Sequence, residues 1–279
     1  MIQKAIITAA APSQRTLPLQ SLIDRDGIKK TVLQIIVEEV LSAGVNEIAI
    51  IVAPGDESIY ATAIQNYTNR VRFIAQTRPK GYGNALLQAR EFVAGERFLH
   101  LVGDHLHTAP TTKTCTQQLI EVAEREKCNV SAVQATREAL LPYYGVVGGK
   151  CVPGCVGLYQ IEHVLEKPSP TLAEQVAWVP GLRAGQYLCF FGMHVLNASI
   201  FDLLDAQQSE QSPSSSFILS PALNVLARQE RYLAVEIQGK RFDVGVKYGL
   251  FASQLALALN GVDRDEVLAQ LLELLATSR

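Results

Sequence analysis

Charge is scarce in this sequence. Only 19% of its 279 residues are Asp, Glu, Lys or Arg, against 48% apolar side chains. A disordered chain is therefore excluded, and one large core or two modest ones can be buried. An excess of either sign is also missing, with a formal net charge of −2, a pI of about 6.2 and no basic run beyond Lys29 and Lys30. Such a chain has little with which to neutralise a phosphate backbone, which argues against general nucleic-acid binding. Long apolar runs are absent too. Tyr187 to Leu196 is the longest nearly apolar stretch, interrupted by Gly192 and His194, and it falls short of the roughly 20 residues that a bilayer span needs. Ala5 to Ala11, behind Lys4, is too short and too weakly flanked for a signal peptide. A cytoplasmic protein without a membrane partner is expected. The five cysteines, at 115, 128, 151, 155 and 189, are an odd number, which suits reduced thiols better than a disulfide frame.

What is present is an alternation of strands and helices. Ala5 to Ala10 reads as a buried strand that ends in small residues and Pro12. From Thr31, Val32, Ile36 and Val40 recur at four-residue spacing beside Leu33, Val37 and Leu41, and Gly44 follows. That spacing predicts an amphipathic helix. Glu47–Ala53, Val71–Ala75, Arg97–Val102 and Asn129–Ala135 read as further strands, separated by helical patterns near 56–66, 82–94 and Thr114–Lys127. The first half thus predicts a mainly parallel sheet covered on both faces. In the second half, Tyr144–Val147 and Gly157–Leu165 flank a Gly/Pro/Cys turn and predict a smaller antiparallel lobe. Gln186–Val195 is a strand, Ser199–Ala206 a short helix, Gln207–Ser216 an exposed polar loop, and Val235–Phe242 strand-like. Two C-terminal helices follow, one carrying Phe251, Leu255 and Leu259, the other Val267, Leu268, Leu271, Leu272 and Leu275, with Asp263 and Glu266 as a reciprocal cap.

In an open α/β sheet, ligands bind beyond the carboxyl ends of the strands. Asp104 and Asp243 both follow strand patterns there. A hard cation such as Mg²⁺ takes one or two carboxylates together with substrate phosphate oxygens, so this pair is a candidate metal platform; ordinary turn formers or helix caps are the alternative.

Five short segments in order give those aspartates context. They are Gln76 followed by KGYGNAL (Lys80–Leu86), GDH (Gly103–His105), YGVV (Tyr144–Val147), EKP (Glu166–Pro168) and FDVGVKYG (Phe242–Gly249). Over nearly the whole chain the pattern resembles the sugar-1-phosphate nucleotidyltransferases, specifically their bacterial UTP–glucose-1-phosphate branch. The resemblance implies one α/β domain of Rossmann-like type, with a nucleotide-binding half over 1–140, a sugar-phosphate half over 141–247 and C-terminal helices over 248–279. It implies Gln76 and Gly81 at a pyrimidine base, Ala10 and Ala11 beside the nucleotide, Asp104 and Asp243 on Mg²⁺, and Gly145, Glu166 and Lys167 at the sugar phosphate. Arg15 and Lys167 would be the catalytic cations. The implied partners are a nucleoside triphosphate and a sugar 1-phosphate, and a homo-oligomer is left open. On the residues themselves, Gly81 and Gly83 admit a base plane near the backbone, and the Gln76 amide offers a donor and an acceptor. Glu166 accepts from sugar hydroxyls, and Lys167 neutralises phosphate while Pro168 holds it extended.

The pattern also breaks. Where the family carries GxGTR and then a Lys, this chain has Ala11-Pro12-Ser13-Gln14-Arg15, and the Lys position falls near Ser21. Arg25, Lys29 and Lys30 are the nearby cations that could substitute. FILSPAL (Phe217–Leu223) replaces the Glu-Ile-Gln-Leu-Thr-Asp of the sugar side, which puts glucose in question. A catalytically impaired nucleotide-sugar or sugar-phosphate binding protein is therefore the alternative to an active transferase. His105 and His107 read as packing before metal ligands. Cys151 and Cys155 read as bystanders, and Trp178 as a packing anchor.

Overall fold

In the computed structural model, residues 1–12, 15–210 and 217–277 are described. Strand β1 (Lys4–Thr8) sends Ala5 and Ile7 into one apolar cluster and Ile6 into another, so both its faces are covered, as a central strand requires. A hairpin of β2 (Ser21–Ile23) and β3 (Lys29–Thr31) follows. It is pinned by buried Lys30, whose ammonium lies 2.8 Å from Asp24, 2.5 Å from Asp26 and 2.7 Å from Glu38. The Thr31 hydroxyl accepts from Gln34 N and opens α1 (Val32–Ser42). Next come β4 (Glu47–Val52), α2 (Glu57–Ile64) and β5 (Val71–Ala75). The helical pattern over 82–94 forms two pieces, α3 (Tyr82–Leu87) and α4 (Arg90–Val93), because Gln88 N and Ala89 N tighten onto carbonyls three residues back. After β6 (Phe98–Val102) the chain makes a short strand, β7 (His105–Thr108), then α5 (Cys115–Glu126), opened by a Thr114–Gln117 capping box, and β8 (Asn129–Arg137).

The second half supplies β9 (Gly145–Cys151), β10 (Leu158–Glu166), α6 (Pro170–Val176), β11 (Gln186–Leu196), α7 (Ser199–Glu210) and α8 (Ser220–Gln229). Then follow β12 (Tyr232–Glu236), β13 (Lys240–Asp243), α9 (Gly249–Leu259) and α10 (Arg264–Thr277). Three expectations change. The polar tract begins inside α7, its residues 211–216 lying outside the described ones. The strand expected over Val235–Phe242 is two strands, because the chain turns after Glu236 and β13 leaves the main sheet to pair with β7. Glu266 accepts from Gln270 Nε2 at 3.2 Å instead of completing a cap with Asp263.

The main sheet has nine strands in the order β5-β4-β1-β6-β11-β8-β12-β10-β9. Strands β5, β4, β1 and β6 are mutually parallel, as are β8 and β12. Strand β11 runs antiparallel to β6, β8 and β9, and β10 antiparallel to β12 and β9. The first four strands are therefore parallel as expected, but the sheet as a whole is mixed, and the antiparallel pair β9–β10 is its far end rather than a separate lobe. The apolar run of β11 marks burial on both faces but not strand direction, so the sequence could not give this. On one face lie α1, α2, α5 and α9, contributing Val37, Tyr60, Leu119 and Leu257; on the other lie α3, α4, α7 and α8, contributing Leu86, Val93, Phe201 and Leu226. Among the described residues, no helix is long and apolar enough to cross a membrane.

Candidate functional site

A cleft of about 700 Å³ opens at the carboxyl ends of β1 and β6 and runs across β11 to the ends of β9 and β10. At its centre β6 ends at Val102, and Gly103 N donates to Thr8 O at 2.9 Å, turning the chain so that Asp104 follows. Strand β7 then pairs with β13, setting Asp243 opposite His105. Ligating atoms of Asp104, His105 and Asp243 all lie within 4.8 Å of one another. His105 Nδ1 donates to Asp104 Oδ1 at 2.8 Å, and Gly245 N donates to Asp243 Oδ1 at 2.8 Å. Each carboxylate keeps a second oxygen. Burial pushes the Asp104 carboxyl up, but the hydrogen bond and charge of His105 together with its own backbone N–H hold it below the usual carboxylate range. Two carboxylates facing one cleft, each with an oxygen to spare, fit the oxygen-rich, partly substrate-supplied coordination of Mg²⁺.

On one side of this centre is Gln76, buried at the end of β5. Its Nε2 donates to Gly81 O at 3.1 Å and Asn84 Oδ1 at 3.0 Å, leaving Oε1 without a bond among the described residues. Gly81 has φ +121°, and a Cβ there would stand 2.6 Å from Phe217 O. Ala10 and Ala11 line the same end of the cleft. Arg15 does not line it: its Nε lies 3.6 Å from Asp56, and its backbone N donates to Ala11 O at 2.8 Å. The Tyr60 hydroxyl, 2.5 Å from Arg15 O and 3.0 Å from Ala9 O, ties down both ends of this glycine-poor turn. Ser13 and Gln14 lie outside the described residues.

On the other side, Gly145 pairs with Glu166 across β9–β10. A Cβ on Gly145 would stand 2.8 Å from the Phe190 ring, so the glycine keeps this wall flat. Ser220 Oγ donates to Glu166 Oε2 at 2.5 Å. Lys167 Nζ lies 4.0 Å from Glu166 Oε1. Its backbone is in the left-handed region, at φ +44°, and not extended as Pro168 suggested. The chain turns there, where Lys167 N makes the last strand-end bond, to Tyr144 O at 3.2 Å.

Several lining residues were not anticipated. Ser220 sits inside the segment that reads as a departure, at the start of a helix betrayed only by Pro221 and the spacing of Leu223 and Leu226. Lys247, exposed on the loop after Asp243, lies within FDVGVKYG. Tyr82 and His194 form part of the floor. Arg241 stacks its guanidinium 3.6 Å from the centre of the Tyr144 ring, bracing the wall next to Gly145. The cations considered as substitutes are elsewhere: Lys30 is engaged by three carboxylates, and neither Arg25 nor Lys29 lines the cleft; nor does Ser21, which opens β2. His105 joins the acidic cluster while His107 is buried, stacked on Phe191 at 5.0 Å. Cys151 and Cys155 are exposed and free. Trp178 is 64% exposed rather than an anchor, because its neighbours Ala177 and Val179 take the inward positions.

A family model described as nucleotidyl transferase matches residues 25–258. The chain belongs to that family. Among curated family relatives it is 29% identical over 301 residues to UTP–glucose-1-phosphate uridylyltransferase 2 of Streptococcus pyogenes serotype M3, covering 98% of this chain and 96% of the relative. The fold matches that of UDP-glucose pyrophosphorylase complexed with UDP-glucose, at TM-score 0.75 and 23% identity, over 92% of this chain and 98% of that one. It also matches a UTP-bound enzyme of the same kind from Acinetobacter baumannii, at TM-score 0.73 and 21% identity, over 98% and 99% of the two chains.

Proposed function

We propose that this chain is a Mg²⁺-dependent transferase that joins UTP to glucose 1-phosphate, giving a nucleotide-sugar and pyrophosphate. The observation that carries the reading is the convergence of Asp104 and Asp243 in one cleft, between Gln76 and Gly81 on one side and Glu166 and Lys167 on the other.

The choice of base rests on Gln76. With both amide hydrogens given to Gly81 O and Asn84 Oδ1, the side chain offers only an acceptor. Uracil presents an N3–H donor on its pairing edge, whereas cytosine presents a lone pair that would face another. The choice of sugar phosphate follows the relatives. Glu166, fixed by Ser220, accepts from sugar hydroxyls, and the flat wall at Gly145 admits the ring. In the reaction an oxygen of the sugar phosphate attacks the α-phosphorus in line as the bond to pyrophosphate breaks. Asp104 and Asp243 would hold Mg²⁺, which when bound supplies neutralisation of phosphate charge. Lys167 offsets the charge of the incoming phosphate and Lys247 that of the triphosphate beyond Asp243, so that two anions can approach. Arg15 would have to leave Asp56 to join them.

That ion pair, with the glycine-poor turn, favours the second reading of a chain that binds these ligands without turning them over. Pyrophosphate release from UTP, glucose 1-phosphate and Mg²⁺ separates the two. Release is expected, and Asp104→Asn should cut it by about 100-fold or more with an unchanged circular dichroism spectrum. Ligand-induced stabilisation without release, across all nucleotides and sugar phosphates tried, would establish the binding protein. Full activity in Asp104→Asn would overturn the carboxylate assignment.

A further inference from the structure

The cleft floor holds groups that this reaction leaves unused. On β11, Phe190, Gly192 and His194 face the cleft, while Phe191, Met193 and Val195 enter the opposite core. His194 is 3% exposed, stacked on His100 with ring centres 5.8 Å apart and met edge-on by Phe190 at 4.9 Å. Burial drives its pKa down to about 3, so the ring is neutral. A neutral imidazole carries one N–H and one lone pair, and the partner of one nitrogen decides the role of the other.

Here the partners are fixed. His194 Nδ1 lies 2.5 Å from Ser131 Oγ, which lies 2.5 Å from the Tyr232 hydroxyl. Tyr232 is fully buried, and among the described residues its hydroxyl bonds only to Ser131. A proton on Nδ1 would pass the chain of donation outward, from His194 to Ser131 to Tyr232, and leave the phenolic O–H buried with nothing to accept it. The reverse order spends every donor: Tyr232 donates to Ser131, and Ser131 donates to Nδ1. The ring proton then sits on Nε2, which has no protein partner among the described residues and belongs to a residue lining the cleft.

We propose that His194 is a specificity-determining residue whose Nε2–H, preset by the Tyr232–Ser131 relay, donates to a hydroxyl oxygen of the sugar. The assignment rests on the sugar-phosphate reading above and adds to it a sugar contact. An uncharged donor suits a hydroxyl, which can accept here and donate to Glu166, whereas the phosphates are matched by the cations Lys167 and Lys247. Phe190 beside it adds an apolar group to the same wall, next to Gly145.

Two measurements test this. In ¹⁵N-histidine spectra of the unliganded wild-type chain, His194 should show the Nε2–H tautomer, and adding glucose 1-phosphate should shift that N–H. An Nδ1–H tautomer, or an N–H indifferent to the sugar phosphate, overturns the proposal without any variant. The second uses glucose 1-phosphates lacking one hydroxyl at a time. One of them should lose about tenfold or more in kcat/KM on the wild type. That loss should shrink to within about twofold in His194→Phe, with KM for UTP unchanged, and a Tyr232→Phe chain should show an intermediate loss. Equal penalties in wild type and His194→Phe overturn the role of His194 alone. If no sugar 1-phosphate binds or reacts with the wild type, the sugar-phosphate reading falls and takes this assignment with it.

Discussion

Gly81 illustrates how a residue can be read correctly as special and still be special for another reason. Its sequence context suggests room for a base, but the atom nearest a Cβ at that position is the chain's own Phe217 O, at 2.6 Å. With φ at +121° as well, Gly81→Ala should cost about 2–3 kcal/mol of unfolding free energy, read from the urea midpoint. An unchanged midpoint would mean that the 217 segment gives way freely. Asp104, Asp243, Gln76 and Glu166 were readable because each ends or follows a strand pattern and belongs to a short segment of recognisable order. Ser220, His194 and Lys247 were not. Their places in the cleft depend on distant segments, and nothing within a few residues of each records that.

Among the elements, helix α1 and strands β4, β5 and β6 were evident from apolar spacing, because each carries its own local apolar pattern. Strand β7 and its pairing with β13 were invisible. The ribbon consists of HLHT and KRFD, four residues apiece, mostly polar, and stabilised by partners on the far side of the sequence. Yet this ribbon sets Asp243 beside Asp104. Its footing is Glu39 on α1, whose Oε2 lies 3.5 Å from His107 Nδ1 and whose Oε1 accepts from Thr116 N and Oγ1 at 3.2 and 2.9 Å. Burial raises the Glu39 pKa, but His107 and Thr116 together bring it below its ordinary 4.5. A depressed carboxylate contributes stability that is complete above the unfolded value and lost as pH falls through the folded one. Stability of the wild type should therefore decline below about pH 4.5. Glu39→Gln should be about 3 kcal/mol less stable at pH 7 and lose less than the wild type on acidification. Parallel acid limbs for the two chains, in chemical denaturation followed against pH, would remove Glu39 from this account.

The whole molecule is built on a nine-stranded sheet across which the Gln76 end and the Glu166 end of the cleft share a floor. A ligand spanning that floor stabilises the native state by mass action. UTP with Mg²⁺ at about 100 times its dissociation constant should contribute about 2.7 kcal/mol, a rise of roughly 5–10 °C in melting temperature. The rise should be smaller in Asp243→Asn, and no shift with any nucleoside triphosphate would contradict a nucleotide site here. The antiparallel course of β11 through the sheet was hidden from the sequence, since an apolar run reveals depth and not polarity.

Strand β11 bends at Gly192, where φ is +85° and the pairing register shifts between Phe190 and His194. Its first half is bonded to β9 and β8, its second to β6 and β8. The two ends of the cleft are thus joined through one strand, whose pairing is interrupted only at this bend. A closure of one end on the other would have to work through this strand and its pairings on either side of Gly192. The floor of the cleft is thereby a ruler whose length the pairings of β11 set.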